Sequence, residues 1–152
     1  GANYFDYPMA GGMIIWDKCN DGSDQSDAEI AFNSLTRRVD IFRYMWRGMF
    51  QGKSIAEGTV QQGNKKLNEK RIHPTQKPVN LYRWICQKYL QKGMMVLDTH
   101  VGSASSLIAY EEYGLEYVGY EINKDYYDSA QKRLNEFRSQ LTLFDLEMEE
   151  HK

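Results

Sequence analysis

Residues 94–106, MMVLDTHVGSASS, and residues 117–121, YVGYE, decide how this chain folds. Met94, Met95, Val96 and Leu97 form a short unbroken apolar run, the pattern of a strand covered on both faces. Asp98 ends the run, and a turn of small residues follows, with Gly102, Ser103, Ala104 and Ser105. Leu107 to Tyr110 then open a helical pattern. A second apolar strand ends on another carboxylate, Glu121, 23 positions after Asp98. Strand, tight turn, helix, strand and acid make a βαβ unit wired for a nucleotide-type ligand. The turn's N–H groups and the helix N-terminus face the ligand, and the second acid accepts from ribose hydroxyls. No complete GxGxxG is present, so a βαβ unit without a ligand is the alternative reading.

At 152 residues, with 41% hydrophobic and 26% charged residues, the chain is sized and composed as one globular domain with a real core. It has no apolar run of membrane-spanning length and no secretory signal, so no membrane partner and a cytoplasmic location are expected. Cys19 and Cys86 stand far apart without a CxxC, and there are three histidines. Reduced structural thiols are therefore expected, with no metal site. The net charge of −2 is unevenly spread: 12 Lys and Arg face 3 acidic residues between Arg37 and Lys88. A basic middle between acidic ends suits a phosphate-facing surface; a solvated mixed face is the alternative.

Outward from the central unit, Met13 to Trp16 (MIIW) reads as a buried strand after Gly11 and Gly12, and residues 20–27 as a turn-rich loop. Asp27 is placed to cap a short helix running to Phe32 or Leu35. Residues 39–50 are aromatic-rich and partly alternating, which predicts a strand bent at Gly48. Residues 51–71 are rich in Gly, amides and Lys, which predicts a long functional loop. HPTQKP (73–78) holds its backbone extended before a core-packed helix over 79–90 that ends at Gly93. Asn123 caps a last helix whose apolar stripe is Tyr126, Tyr127, Ala130, Leu134 and Phe137, with Lys132 and Arg133 on its exposed side. Residues 141–146 are expected to tuck back onto the sheet and the last residues to fray.

HPTQKP followed by VLDTHVGSASS and YVGYE resembles the amino-methyltransferases of DNA, in the permuted order that places HPTQKP directly before the motif D-P-F-x-G-S-G-T-T. The resemblance covers essentially the whole chain. GGMIIWDK looks like the strand after the family's catalytic motif, DAEIAF like the helix after that, and 51–71 like a short target-recognition loop. It implies an α/β fold: a Rossmann-like methyltransferase sheet with helices on both faces, incomplete on its N-terminal side. An open sheet edge there makes a homodimer an expectation. The implied cofactor is S-adenosylmethionine and the implied partner double-stranded DNA. Residues 98–105 would wrap the methionine end of the cofactor: Asp98 toward its ammonium, then His100, Gly102, Ser103, Ala104 and Ser105. Glu121 would take the ribose hydroxyls, Ile122 would flank the adenine, and Thr75 and Lys77 would complete the methionine side. The DNA-backbone candidates are Arg37, Arg38, Arg43, Arg47, Lys65, Lys66, Lys70 and Arg71. On the same resemblance Trp16, Asp17 and Lys18 would border the base pocket, with Trp16 as plain core the alternative.

The chain departs from the pattern at Thr99, His100, Ala104, Ser105 and Ser106, where the family has Pro, Phe, Gly, Thr and Thr. It also lacks the catalytic Asp/Asn/Ser-Pro-Pro-aromatic motif: its prolines, Pro8, Pro74 and Pro78, are never adjacent. That motif is expected upstream of Gly1, leaving this chain alone inactive and without catalytic residues of its own. The reading is a fragment of an enzyme that methylates the exocyclic amine of an extruded base, adenine N6 ahead of cytosine N4, as in restriction–modification systems. The alternatives are an inactive cofactor- and DNA-binding module, and a methyltransferase for RNA or a small molecule.

Overall fold

A computed structural model describes residues 10–22, 24–47, 50–52 and 68–150, with 141–150 described by backbone alone. The chain divides into two compact units, Gly1–Lys70 and Arg71–Lys152.

In the first unit β1 (Gly12–Asp17) lies between β2 (Ala28–Asn33) and β3 (Val39–Arg43), antiparallel to β2 and parallel to β3. The strand expected at Met13 to Trp16 is thus central. Ile14 and Trp16 face a covered side, and the Trp16 Nε1–H donates to the Tyr44 carbonyl at 2.9 Å. Trp16 is core. Gly12 lies where any side chain would collide, because a Cβ would stand 2.2 Å from the Arg38 carbonyl oxygen.

The helix expected from Asp27 is instead strand β2, and the β1–β2 hairpin is closed by the Lys18 N–H donating to the Asp27 carbonyl at 2.8 Å. Ile30 and Phe32 align beside Ile15 and Met13. Cross-strand pairing over a shared sheet face therefore overrides a local capping signal. The strand expected over 39–50 breaks at Tyr44 into β3 and β4 (Met45–Arg47), which pairs with β5 (Phe50–Gly52); the Gly48 bend lies outside the described residues. The expected loop 51–71 begins inside β5. The buried Gln51 amide brackets the far end of that segment, donating to the Glu69 carbonyl at 3.1 Å and accepting the Glu69 N–H at 2.8 Å.

The second unit is the expected βαβ. After HPTQKP come α1 (Val79–Tyr89), β6 (Met95–Asp98), α2 (Ser105–Tyr113), β7 (Glu116–Gly119) and α3 (Lys124–Glu150). Strands β6 and β7 are parallel and in register, Val96 beside Tyr117 and Asp98 beside Gly119. All six residues from Ser105 to Tyr110 are buried, so α2 is sunk in the core rather than laid on it. Cys86 of α1, Leu107 and Ala109 of α2, and Ala130 and Leu134 of α3 pack into one cluster, with Val96 and Tyr117 against it. Cys86 is fully buried, and burial pushes its thiol up to about 11. Two guanidinium clips fasten the helices at the surface: Arg83 of α1 on Glu112, and Arg138 of α3 on Glu111, which also accepts the Tyr117 hydroxyl at 2.5 Å. The Asn123 Oδ1 accepts the Asp125 and Tyr126 N–H groups at 3.0 and 3.1 Å, so the expected cap starts α3.

Three expectations change. The helices cover only the Val96 side of β6, and Met95 and Leu97 are 69% and 63% exposed on the other, so the apolar run is not covered on both faces. Tyr127 is 46% exposed and leaves the α3 stripe. Residues 141–146 do not turn back: the backbone continues α3 to Glu150. Both cysteines are unpaired, and the described residues hold no metal-binding cluster of His, Cys, Asp and Glu. No helix in the described part is long and apolar enough to cross a membrane.

Candidate functional site

The parallel alignment brings the ends of β6 and β7 side by side, and with them the two carboxylates. The pairing extends past the strands: the Tyr120 N–H donates to the Asp98 carbonyl at 2.8 Å, and the Val101 N–H to the Tyr120 carbonyl at 3.0 Å. Asp98 folds its carboxylate into the turn, accepting the His100 N–H at 3.0 Å and the Ser106 hydroxyl at 2.5 Å. Glu121 grips the turn from the other strand. Its Oε2 accepts the Gly102 N–H at 2.9 Å, and its Oε1 accepts the Asn123 N–H at 2.9 Å. The Asn123 N–H, then the Gly102 N–H and the nearby His73, hold the Glu121 carboxyl below the usual carboxylate range.

A cavity of about 420 Å³ opens against this turn, within the size range of small-molecule sites. Of the residues singled out in the sequence, Thr75, Lys77, His100, Gly102, Ser103, Ser105, Glu121 and Ile122 line it. Asp98 and Ala104 do not: Asp98 stands behind the turn in the bonds just described, and Ala104 is 1% exposed at the head of α2. Gly102 has φ of +55°, and Ala104 adopts the same left-handed region at φ 60°, ψ 19°. The remaining wall includes residues that the sequence does not assign to the site, chiefly His73, Gln76, Tyr82, Asn123 and Tyr126.

His73 ties three of the site's segments together. Its Nδ1 accepts the Thr75 N–H at 3.2 Å, its ring packs on Tyr126 at 4.2 Å between centroids, and it lies over Gly102, where a Cβ would stand 3.7 Å away. Gln76 locks the HPTQKP turn, its Oε1 accepting the Ile72 N–H at 2.9 Å. Arg133, expected on the exposed side of α3, instead reaches back to the turn. Its Nη1 donates to the Ser103 carbonyl at 2.8 Å and to the Ser105 hydroxyl at 2.9 Å. The signal was its place three residues after Ala130, on the flank of the apolar stripe, where a long side chain can run along the core.

The basic candidates divide between the units. In the first, Arg37, Arg38 and Arg47 are exposed, Arg38 lies 3.9 Å from Asp40, and Arg43 pairs with Asp17 at 3.1 Å. Lys18 pairs with Glu29 at 2.9 Å. Lys70 and Arg71 are exposed, and Lys65 and Lys66 lie outside the described residues.

Residues 42–132 match the model of an N6/N4-methyltransferase family described as DNA methylase. The type II methyltransferase M.HindIII of Haemophilus influenzae is 30% identical over 99 residues, 57% of this chain and 31% of that protein. M2.DpnII of Streptococcus pneumoniae is 32% identical over 84 residues, 55% of this chain and 31% of that protein. The chain thus spans about a third of the length of these relatives. Among solved structures, that of the M1.HpyAVI–SAM complex aligns with a TM-score of 0.51 at 22% identity, over 81% of this chain and 61% of that one. The shared fold is a partial Rossmann-like α/β fold.

Proposed function

We propose a function from one premise: the chain belongs to the N6/N4 DNA methylase family. On that premise the cavity beside the β6–β7 ends binds S-adenosylmethionine, and the full-length enzyme transfers its methyl group to the exocyclic amine of an extruded base in double-stranded DNA, adenine N6 ahead of cytosine N4. The relatives named type II methyltransferases support that substrate class, and the solved relative in complex with SAM supports the cofactor.

The observation that carries the reading is the Glu121–turn linkage. Each Glu121 oxygen takes one backbone N–H and keeps acceptor capacity for a ribose hydroxyl, on a wall of the cavity. Lys77 and Thr75 on the HPTQKP side would meet the methionine carboxylate, and the fully exposed Ile122 would cover the adenine. Asp98, behind the turn, would reach the ammonium through water. When bound, the cofactor supplies an electrophilic methyl on a sulfonium. This chain's part is to hold and orient it: it contains no adjacent prolines and hence no Pro-Pro-aromatic motif, and by itself it does not methylate.

The same reading takes 1–152 as one methyltransferase domain, 51–71 as its target-recognition loop, a cytoplasmic location, and self-association through an open strand edge. Arg37, Arg38, Arg43, Arg47, Lys65, Lys66, Lys70 and Arg71 are its DNA-backbone contacts. Titration calorimetry with S-adenosylmethionine tests the cofactor, and absence of heat from the folded chain overturns it. Duplex DNA titrated at several salt concentrations tests the partner. Neutralising Lys65, Lys66, Lys70 and Arg71 should reduce the log–log salt slope by roughly one per lost phosphate contact; an unchanged slope removes them from the interface.

A further inference from the structure

We infer that Arg133 is a positioning residue for the cofactor turn, clamping the left-handed Ala104 in the shape the cavity needs. This rests on the cofactor reading and adds a residue to it. Ala104 adopts φ 60°, ψ 19°, a region where a Cβ is crowded against the following carbonyl. The flanking residues are the ones Arg133 holds: one nitrogen, Nη1, donates both to the Ser103 carbonyl before Ala104 and to the Ser105 hydroxyl after it. The Ser103 and Ser105 hydroxyls lie 3.0 Å apart, so Arg133, Ser103 and Ser105 form one polar network on both sides of the alanine.

Ser103 and Ser105 are also cavity-wall residues, and both are buried, so a shift in the clamp is a shift in the wall. The guanidinium is carried by a firmly seated helix, because its neighbours Ala130 and Leu134 are 4% and 2% exposed in the core. Arg133 does not line the cavity; its effect passes through the turn.

The test compares the wild-type chain with Arg133→Met, Arg133→Lys and the double variant Arg133→Met/Ala104→Gly. It measures S-adenosylmethionine binding by calorimetry, and amide exchange at 102–106 without ligand. Arg133→Met should weaken binding at least tenfold and speed exchange at 102–106 at least tenfold, with exchange along 124–140 unchanged. Ala104→Gly should restore most of the binding, since glycine holds the left-handed turn without a clamp. Arg133→Lys should fall between wild type and Arg133→Met, and it serves in place of Arg133→Met if that variant does not fold. Unchanged turn exchange in Arg133→Met, or no recovery with Ala104→Gly, overturns the inference. A wild-type chain that takes up no cofactor overturns the cofactor reading instead, and the exchange data then decide alone whether Arg133 holds the turn.

Discussion

Glu121 and Gly102 are joined across two strands: the carboxylate at the end of β7 accepts, at 2.9 Å, the N–H at the heart of the turn that ends β6. A side chain 19 residues away thereby fixes the backbone donor it will work beside. On the proposed cofactor reading, ligand recognition and loop shape would depend on the same two oxygens.

Replacing Glu121 with Gln keeps the size and removes the charge. Hydrogen bonds to charged groups contribute about 1.5–3 kcal/mol, so affinity for S-adenosylmethionine should fall roughly 10- to 100-fold. The variant should also change the acid limb of stability. Because the folded-state pKa of Glu121 is depressed, its contribution is present above the unfolded value of about 4.3 and is lost as pH falls through the folded one. Urea unfolding between pH 5 and 3 should therefore show a shallower loss in Glu121→Gln than in wild type. Parallel curves would contradict this.

Gly102 and Ala104 make a reciprocal pair. Gly102→Ala puts a Cβ at φ +55° with the nearest His73 ring atom at an ordinary 3.7 Å, so backbone strain and not collision sets the cost, roughly 1 kcal/mol. Ala104→Gly should gain a similar amount, about 1 kcal/mol, by relieving the left-handed alanine. Thermal and urea melts of both variants check the opposite signs.

Tyr117 should mark the alkaline limit. Burial, then the hydrogen bond and charge of Glu111, push its phenol up to about 12. A raised folded-state pKa contributes stability that is complete below the unfolded value of about 10 and is lost as pH climbs toward 12. Tyr117→Phe should therefore lose less stability than wild type between pH 10 and 12. Tyr110, which burial also raises, remains to give both proteins some alkaline loss.

Leu134→Ala should be the costly core change. At 2% exposure among residues from three helices, it should cost about 2–5 kcal/mol in urea midpoint analysis. Arg83→Ala opens a surface clip with both partners partly in water, and should cost no more than about 1 kcal/mol, less at high salt.

The βαβ unit was legible because its signals are local: an apolar run, an acid at its end, small residues and a capping asparagine, all confirmed between β6 and the start of α3. Strand β2 was not, because AEIAF carries no strong local preference and takes its form from pairing with β1, whose partner choice lies outside any short window. Met95 and Leu97 misled for a related reason: an apolar run tells that a strand can be covered, while the number of faces covered depends on what packs against it. Within the site, Thr75, Lys77 and the turn residues came from the resemblance of HPTQKP and VLDTHVGSASS to the family's motifs, and they line the cavity except Asp98 and Ala104. His73 and Arg133 join the site through contacts across 29 and 30 positions, to Gly102 and Ser103 respectively, which helical periodicity alone does not reveal.

Cys86 gives the second unit a chemical clock. Cys19 is partly open to solvent in the first unit, whereas Cys86 has no exposed surface and a thiol that resists ionisation. An alkylating reagent meets Cys86 only when α1 lifts from α2, so the slow phase of labelling reads directly how often that core breathes, without a dye or an engineered probe.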